Sequence, residues 1–322
     1  MRRRPWVWFV LGGVVLASAA ALGAMIGPAG AISSANWNII WNVRLPRVVL
    51  AAIVGGMLAL AGASYQGVFR NPLVDPYQLG VAAGAGLGAT LVFVGGRADT
   101  SSWVIDPLPL ASFVFGLGAV LITYLVGAAF GAGRTTTSLV LAGVAVVSLL
   151  TALQTFLLQR NTEVVQEVYS WILGRLTAAN WSDVRLVAPY VLLSALVLVL
   201  HRRHLDALRV GDDEAAALGI DVRRVRLVVV LAATLGTAAV VSVSGLIGFI
   251  GLLVPHAVRL VAGASYRVVL PLSVLLGASF LIIADIVGRQ ALAPQELPIG
   301  VVTAIIGAPC FIVLLRSRRS MT

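Results

Sequence analysis

Ten apolar runs, each near the length that crosses a bilayer, follow one another along this 322-residue chain: 6–27, 46–68, 77–95, 108–130, 138–159, 183–201, 225–243, 246–262, 268–288 and 298–315. About 20 helical residues at ~1.5 Å each cross a hydrocarbon layer. Lipid offers no partner to a backbone N–H or C=O, so such runs must satisfy themselves as helices. The expected fold is therefore all-α, a polytopic membrane protein with ten transmembrane helices, and residues 1–322 read as a single membrane domain. Composition agrees: 11% of residues are charged, against about 25% in soluble domains. The stretch EVVQEVYSWILGRL (163–176) is too polar to span and is expected at the surface. The N-terminus imitates an export signal, but residues 6–26 are long enough to span and more membrane follows. A retained first helix is expected.

Every one of the 23 basic residues is arginine. Without lysine the chain cannot build the phosphate-binding loop of ATPases. The lone Cys310 excludes an intrachain disulfide. The net charge of +10 flanks the apolar runs, which argues against nucleic acid as a partner. With a cytoplasmic N-terminus, 16 arginines fall inside and 7 outside, so both termini are expected in the cytoplasm.

The charge is concentrated in one island, HRRHLDALRVGDDEAAALGIDVRRVR (201–226), with six arginines and five acids. Asp212 is placed to cap a short helix that Gly219 ends, and a second turn is expected near 205–209. A compact charged knob suits docking to another protein. Gly23-x-x-x-Gly27, Gly84-x-x-x-Gly88 and VGGMLALAGAS predict closely packed helices. FRNPLVDPYQLG (69–80) reads as a turn in which the prolines fix the backbone and Asn71 and Asp75 suit caps. Asp285 and Arg289 share a helical face. They form either a structural ion pair or, in an ion-coupled secondary transporter, a carrier site at Asp285. Arg44 and Arg47 run against the inside bias and are aimed at a soluble partner's carboxylates. His256 stands alone and reads as structural, so no metal site is expected and any metal cargo would travel already chelated.

These residues together resemble the permease subunits of type II ABC importers, the FecCD- and BtuC-like group that imports ferric siderophores, haem and cobalamin. The resemblance is carried by 44–89 (RLPRVVLAAIVGGMLALAGASYQGVFRNPLVDPYQLGVAAGAGLGA), LVLAGVAV (139–146), DEAAALGIDV (213–222), GLIGFIGLLVPHAVRL (245–260) and 284–315, nearly end to end and in motif order. It implies a homodimer in the bacterial cytoplasmic (inner) membrane, two separate ATP-binding cassette subunits and one periplasmic or extracellular substrate-binding protein. ATP and Mg are used by the partners, and this chain binds no cofactor and is not itself an enzyme. It implies that 206–219 are coupling helices, with Asp206, Leu208, Asp212, Asp213, Glu214, Ala216, Leu218 and Gly219 serving the ATPase. By the same resemblance Arg44, Arg47 and Arg289 dock the binding protein, and Asn71, Thr136 and Thr137 form gates. EAAALG echoes the loop of type I importers, but no Ile-x-Leu-Pro follows, so that class is set aside. The expected cargo is an iron chelate, haem or a ferric siderophore, with cobalamin as the alternative.

Overall fold

The computed structural model describes residues 5–27, 37–96, 106–129, 136–293 and 295–319. Its helices, in chain order, are α1 (Pro5–Met25), α2 (Trp37–Ile39), α3 (Leu45–Val68), α4 (Val81–Val94), α5 (Pro107–Ala129), α6 (Thr136–Arg160), α7 (Val165–Ile172), α8 (Trp181–Leu200), α9 (Arg202–Leu208), α10 (Asp212–Ala217), α11 (Val222–Ser244), α12 (Ile250–Ala262), α13 (Tyr266–Gln290) and α14 (Ile299–Arg319). Among the described residues seven helices are long and apolar enough to cross a membrane, and three shorter apolar helices, at Val81–Val94, Ile250–Ala262 and Ile299–Val313, join them. The protein is an all-α polytopic membrane bundle.

Its axis is α3. Every residue from Val54 to Phe69 is buried, and α11, α12 and α13 pack directly on it. Helices α1, α6 and α8 instead leave most of their apolar surface exposed, as lipid-facing helices do. Small residues set the spacing of the inner helices. A Cβ on Gly55 would strike the backbone of Gly277, and one on Gly277 would strike that of Gly55. Helices α3 and α13 thus touch main chain to main chain. Gly84 lies in the same way against the backbone of Phe115, which confirms the packing role read from its motif. A methyl group on Gly62 would run into the backbone of Gly251, whereas nothing lies near one on Gly13. Gly62→Ala is therefore expected to cost about 1–3 kcal/mol, as overpacked cores do. Gly13→Ala should be neutral. Thermal unfolding of the detergent-purified chain checks both.

Two elements differ from the sequence expectation. The third span was expected from residue 77, yet α4 starts at Val81 and has 14 residues. The chain between α3 and α4 climbs into the bundle before the helix begins. Thr123, in the last third of α5, donates its hydroxyl to the Leu79 carbonyl at 2.9 Å. The Tyr77 hydroxyl donates to the Ile247 carbonyl at 3.0 Å and accepts from the Ile247 N–H at 3.1 Å. The Gln66 amide donates to the carbonyls of Val74 and Gly251. Irregular backbone survives at membrane depth where protein groups satisfy it in this way. The break at 245–249 between α11 and α12 is served by the same Tyr77, so the two non-helical segments hold each other.

The second difference is 163–176. It does not span, but neither is it a loose surface piece. Val168 and Trp171 of α7 are fully buried in a cluster with Ala85, Ala89 and Phe93 of α4. Only its other face is exposed.

Candidate functional site

The charged island folds into the two short helices α9 and α10. Three acids open α10, where negative charge suits the helix dipole. Gly219 takes φ +80°, and the Ile220 N–H turns back to the Ala215 carbonyl at 3.1 Å. A glycine-terminated end of this kind stops the helix where the sequence placed it. Outward stand Val210 and Leu218, each 73% exposed, with Asp213, Glu214, Ala216, Ala217 and Gly219 exposed around them. Bulky apolar groups held out among acids are the makings of a protein contact.

The eight expected coupling residues divide into two groups. Asp213, Glu214, Ala216, Leu218 and Gly219 face out. Leu208 is buried. Asp206 turns inward, accepting from the Tyr266 N–H at 2.7 Å and the Ser265 hydroxyl at 2.9 Å, and so caps α13. Asp212 is not the cap that the sequence suggested. Gly211 precedes the helix, and Asp212 is its first residue. Its carboxylate pairs with Arg226 of α11 at 3.0 Å and with Arg70 at 3.6 Å. Each short helix is thus tied to a spanning helix by one carboxylate.

Among the expected gate residues, Asn71 is exposed and accepts from the Leu73 N–H at 2.9 Å. Asp75 makes the matching turn to Tyr77. Thr137 is exposed at the start of α6. Thr136 opens that helix, but its side chain, like residues 130–135, lies outside the described residues.

At the opposite end, Arg44, Arg47 and Arg289 gather in one cluster. The sequence aims Arg44 and Arg47 at a soluble partner, and the resemblance adds Arg289 to them; all three turn inward in this structure. Arg44 is 6% exposed and donates to the carbonyls of Ala24 and Met25 at 3.3 and 2.7 Å. Arg289 is 2% exposed and donates to those of Gly23 and Ile26 at 3.2 and 3.0 Å. The orphan carbonyls at the end of α1 thus meet two guanidinium groups, which is where a helix accepts positive charge best. Arg47, its side chain 11% exposed, spreads its fork over Asp285 at 2.7 Å and Glu296 at 2.9 Å. Asp285 is also within 3.0 Å of Arg289, so the ion-pair reading of these two residues holds. A carboxylate gripped by two arginines is a poor proton or sodium carrier, which weighs against the secondary-transport reading.

Glu296, Arg70, Arg226 and Gln66 take part in these contacts, yet the sequence did not single them out for function. Glu296 stands in the loop before α14 as an isolated acid. Arg70 counted only toward the inside charge. For Arg70 the telling signal is conformational, since it and Phe249 are the non-glycine residues of positive φ among those described.

A model of the FecCD transport family matches residues 6–317. The chain belongs to the FecCD family. Its relatives include the cobalamin import system permease protein BtuC of Halobacterium salinarum (strain ATCC 700922 / JCM 11081 / NRC-1), 41% identical over 280 residues, 87% of this chain and 74% of that one. The hemin transport system permease protein HmuU of Yersinia pestis is 36% identical, covering 89% and 86%. A solved chain described as an inward-facing conformation of a metal-chelate type ABC transporter superposes with a TM-score of 0.88 at 31% identity, covering 97% of this chain and 99% of that one. As a FecCD permease the protein is the membrane subunit of an ABC importer for iron chelates, haem or cobalamin. ATP is hydrolysed by partner chains, the importer also needs a binding protein, and the permease subunit binds no cofactor.

Proposed function

We propose that this permease works as a homodimer that imports an iron chelate, haem or a ferric siderophore, by alternating access. Both termini and the α9–α10 knob face the cytoplasm, consistent with 16 inner against 7 outer arginines. Two ATPase subunits grip α10 through Leu218, Ala216, Asp213, Glu214 and Gly219, with Asp206, Leu208 and Asp212 holding the knob to the bundle. A binding protein docks at the end of the bundle that holds Arg44, Arg47 and Arg289, where Arg47 is the most exposed of the three and Arg44 and Arg289, buried against the end of α1, hold the cluster in place. Asn71, Thr136 and Thr137 gate the cytoplasmic side. The observation that carries this reading is the exposed knob, where Val210 and Leu218 stand in water beside acids. Among the described residues no three His, Cys, Asp or Glu side chains cluster as a metal site, which supports a cargo that keeps its own chelator.

Cobalamin is the second reading, favoured by the relative named for its import. The complex reconstituted in liposomes, with its binding protein outside and ATP inside, separates the two. Uptake of haemin or a ferric siderophore is expected, with none when either ATP or the binding protein is left out. Uptake of cyanocobalamin alone replaces the iron reading. Uptake by the permease alone under an ion gradient overturns the importer mechanism.

A further inference from the structure

Arg70 holds a left-handed backbone, φ +49°, two residues past the end of α3. Glycine takes this conformation at no steric cost, and other residues seldom adopt it. The backbone alone would choose glycine here, so the arginine is there for its side chain. That side chain reaches Asp212 at the start of α10, Nη2 to Oδ1 at 3.6 Å. Asp212 also takes Arg226 of α11, whose Nη2 donates to Oδ2 at 3.0 Å and to Oδ1 at 3.3 Å. Directly after Arg70 comes Asn71 and the segment that climbs into the bundle, hung on Gly251 through Gln66 and on Ile247 through Tyr77.

We propose that Arg70 is a positioning residue that carries motion of α10 into the 71–80 segment, with Asp212 as the shared carboxylate. One acid between two arginines has two alternative pairings. It can hold α10 to the foot of the gate segment and α11 together, or to α11 alone. Both Arg70 and Asp212 are half-exposed, and a pair so wetted adds little to stability. It is suited to being broken and remade. The proposal rests on the coupling role given to α10 above.

The test uses the permease–ATPase complex in nanodiscs, in a C310S background with a single reporter cysteine at L73C. Leu73 is exposed within the segment. The rate of labelling by a bulky water-soluble maleimide is followed with and without ATP plus vanadate. The parent is expected to change its rate several-fold on trapping. R70G should lose that response while keeping or raising its melting temperature, because glycine relaxes the left-handed backbone. R70K should restore the response, and D212N, which leaves the backbone of Arg70 untouched, should lose it. A parent-like response in R70G, or failure of R70K to restore it, overturns the linkage. So does loss of ATPase co-purification in both R70G and D212N, since the pair would then only shape the docking surface. A parent that itself ignores nucleotide overturns the coupling role of α10, a failure separate from that of Arg70.

Discussion

Leu218→Asp is expected to abolish ATP-driven uptake while leaving the permease folded and inserted. Leu218 is exposed at the tip of α10, so the bundle loses no contact when it changes. In the docked complex the new carboxylate would be desolvated beside Asp213 and Glu214. Losing an apolar anchor of an interface costs about 2 kcal/mol, roughly thirtyfold in affinity, and a buried unpaired charge adds to that. The measurement is ATPase activity of the reconstituted complex with and without the binding protein, alongside uptake. Stimulation should disappear together with transport. Unchanged stimulation in Leu218→Asp would remove α10 from the coupling path. The same substitution at Leu208, which is buried, should instead prevent folding, and the contrast separates contact from core.

The second large effect lies at the other end. Asp285→Ala leaves Arg47 and Arg289 facing each other in a largely buried site with Glu296 as their remaining nearby acid. Removing one partner of a buried ion pair costs about 3–5 kcal/mol. The yield and melting temperature of the purified permease should fall accordingly. Changing Arg289 to Met in the same chain should return part of the loss, because a neutral pair carries no stranded charge. An ion-coupled carrier behaves differently. In that case Asp285→Asn would keep full stability and lose transport, and this outcome would revive the secondary-transport mechanism.

The sequence disclosed the number of spans and the Asp285–Arg289 pair because both are local patterns, one of run length and one of four-residue spacing. Gly219 as the end of α10 was legible for the same reason. The rise of 69–80 was not. Tyr77 to Gly80 is apolar enough to extend the third span, and its anchors are distant in sequence: Thr123 donates to the Leu79 carbonyl, and the Tyr77 hydroxyl pairs with the backbone of Ile247, 170 residues along the chain. The direction of the outer arginines was hidden likewise. Arg44 and Arg47 look outward until α1 brings its carbonyl end beside them and Asp285 arrives from 238 positions away. The divided roles within the knob were half visible. Its exposed acids could be read from composition, but Asp212 looked like a cap because nothing nearby in sequence names Arg70 and Arg226 as its partners.

The main-chain contact between Gly55 and Gly277 has a mechanical consequence. Two helices that meet without side chains between them have no soft layer in which to slide, so α3 and α13 behave as a single strut. Any rocking of the subunit turns that strut as a whole, carrying the Arg44–Arg47–Arg289 cluster at one end and the foot of the 69–80 segment at the other. Opening and closing must be absorbed where the chain is thin, in the non-helical segments at 69–80 and 245–249 that brace one another through Tyr77.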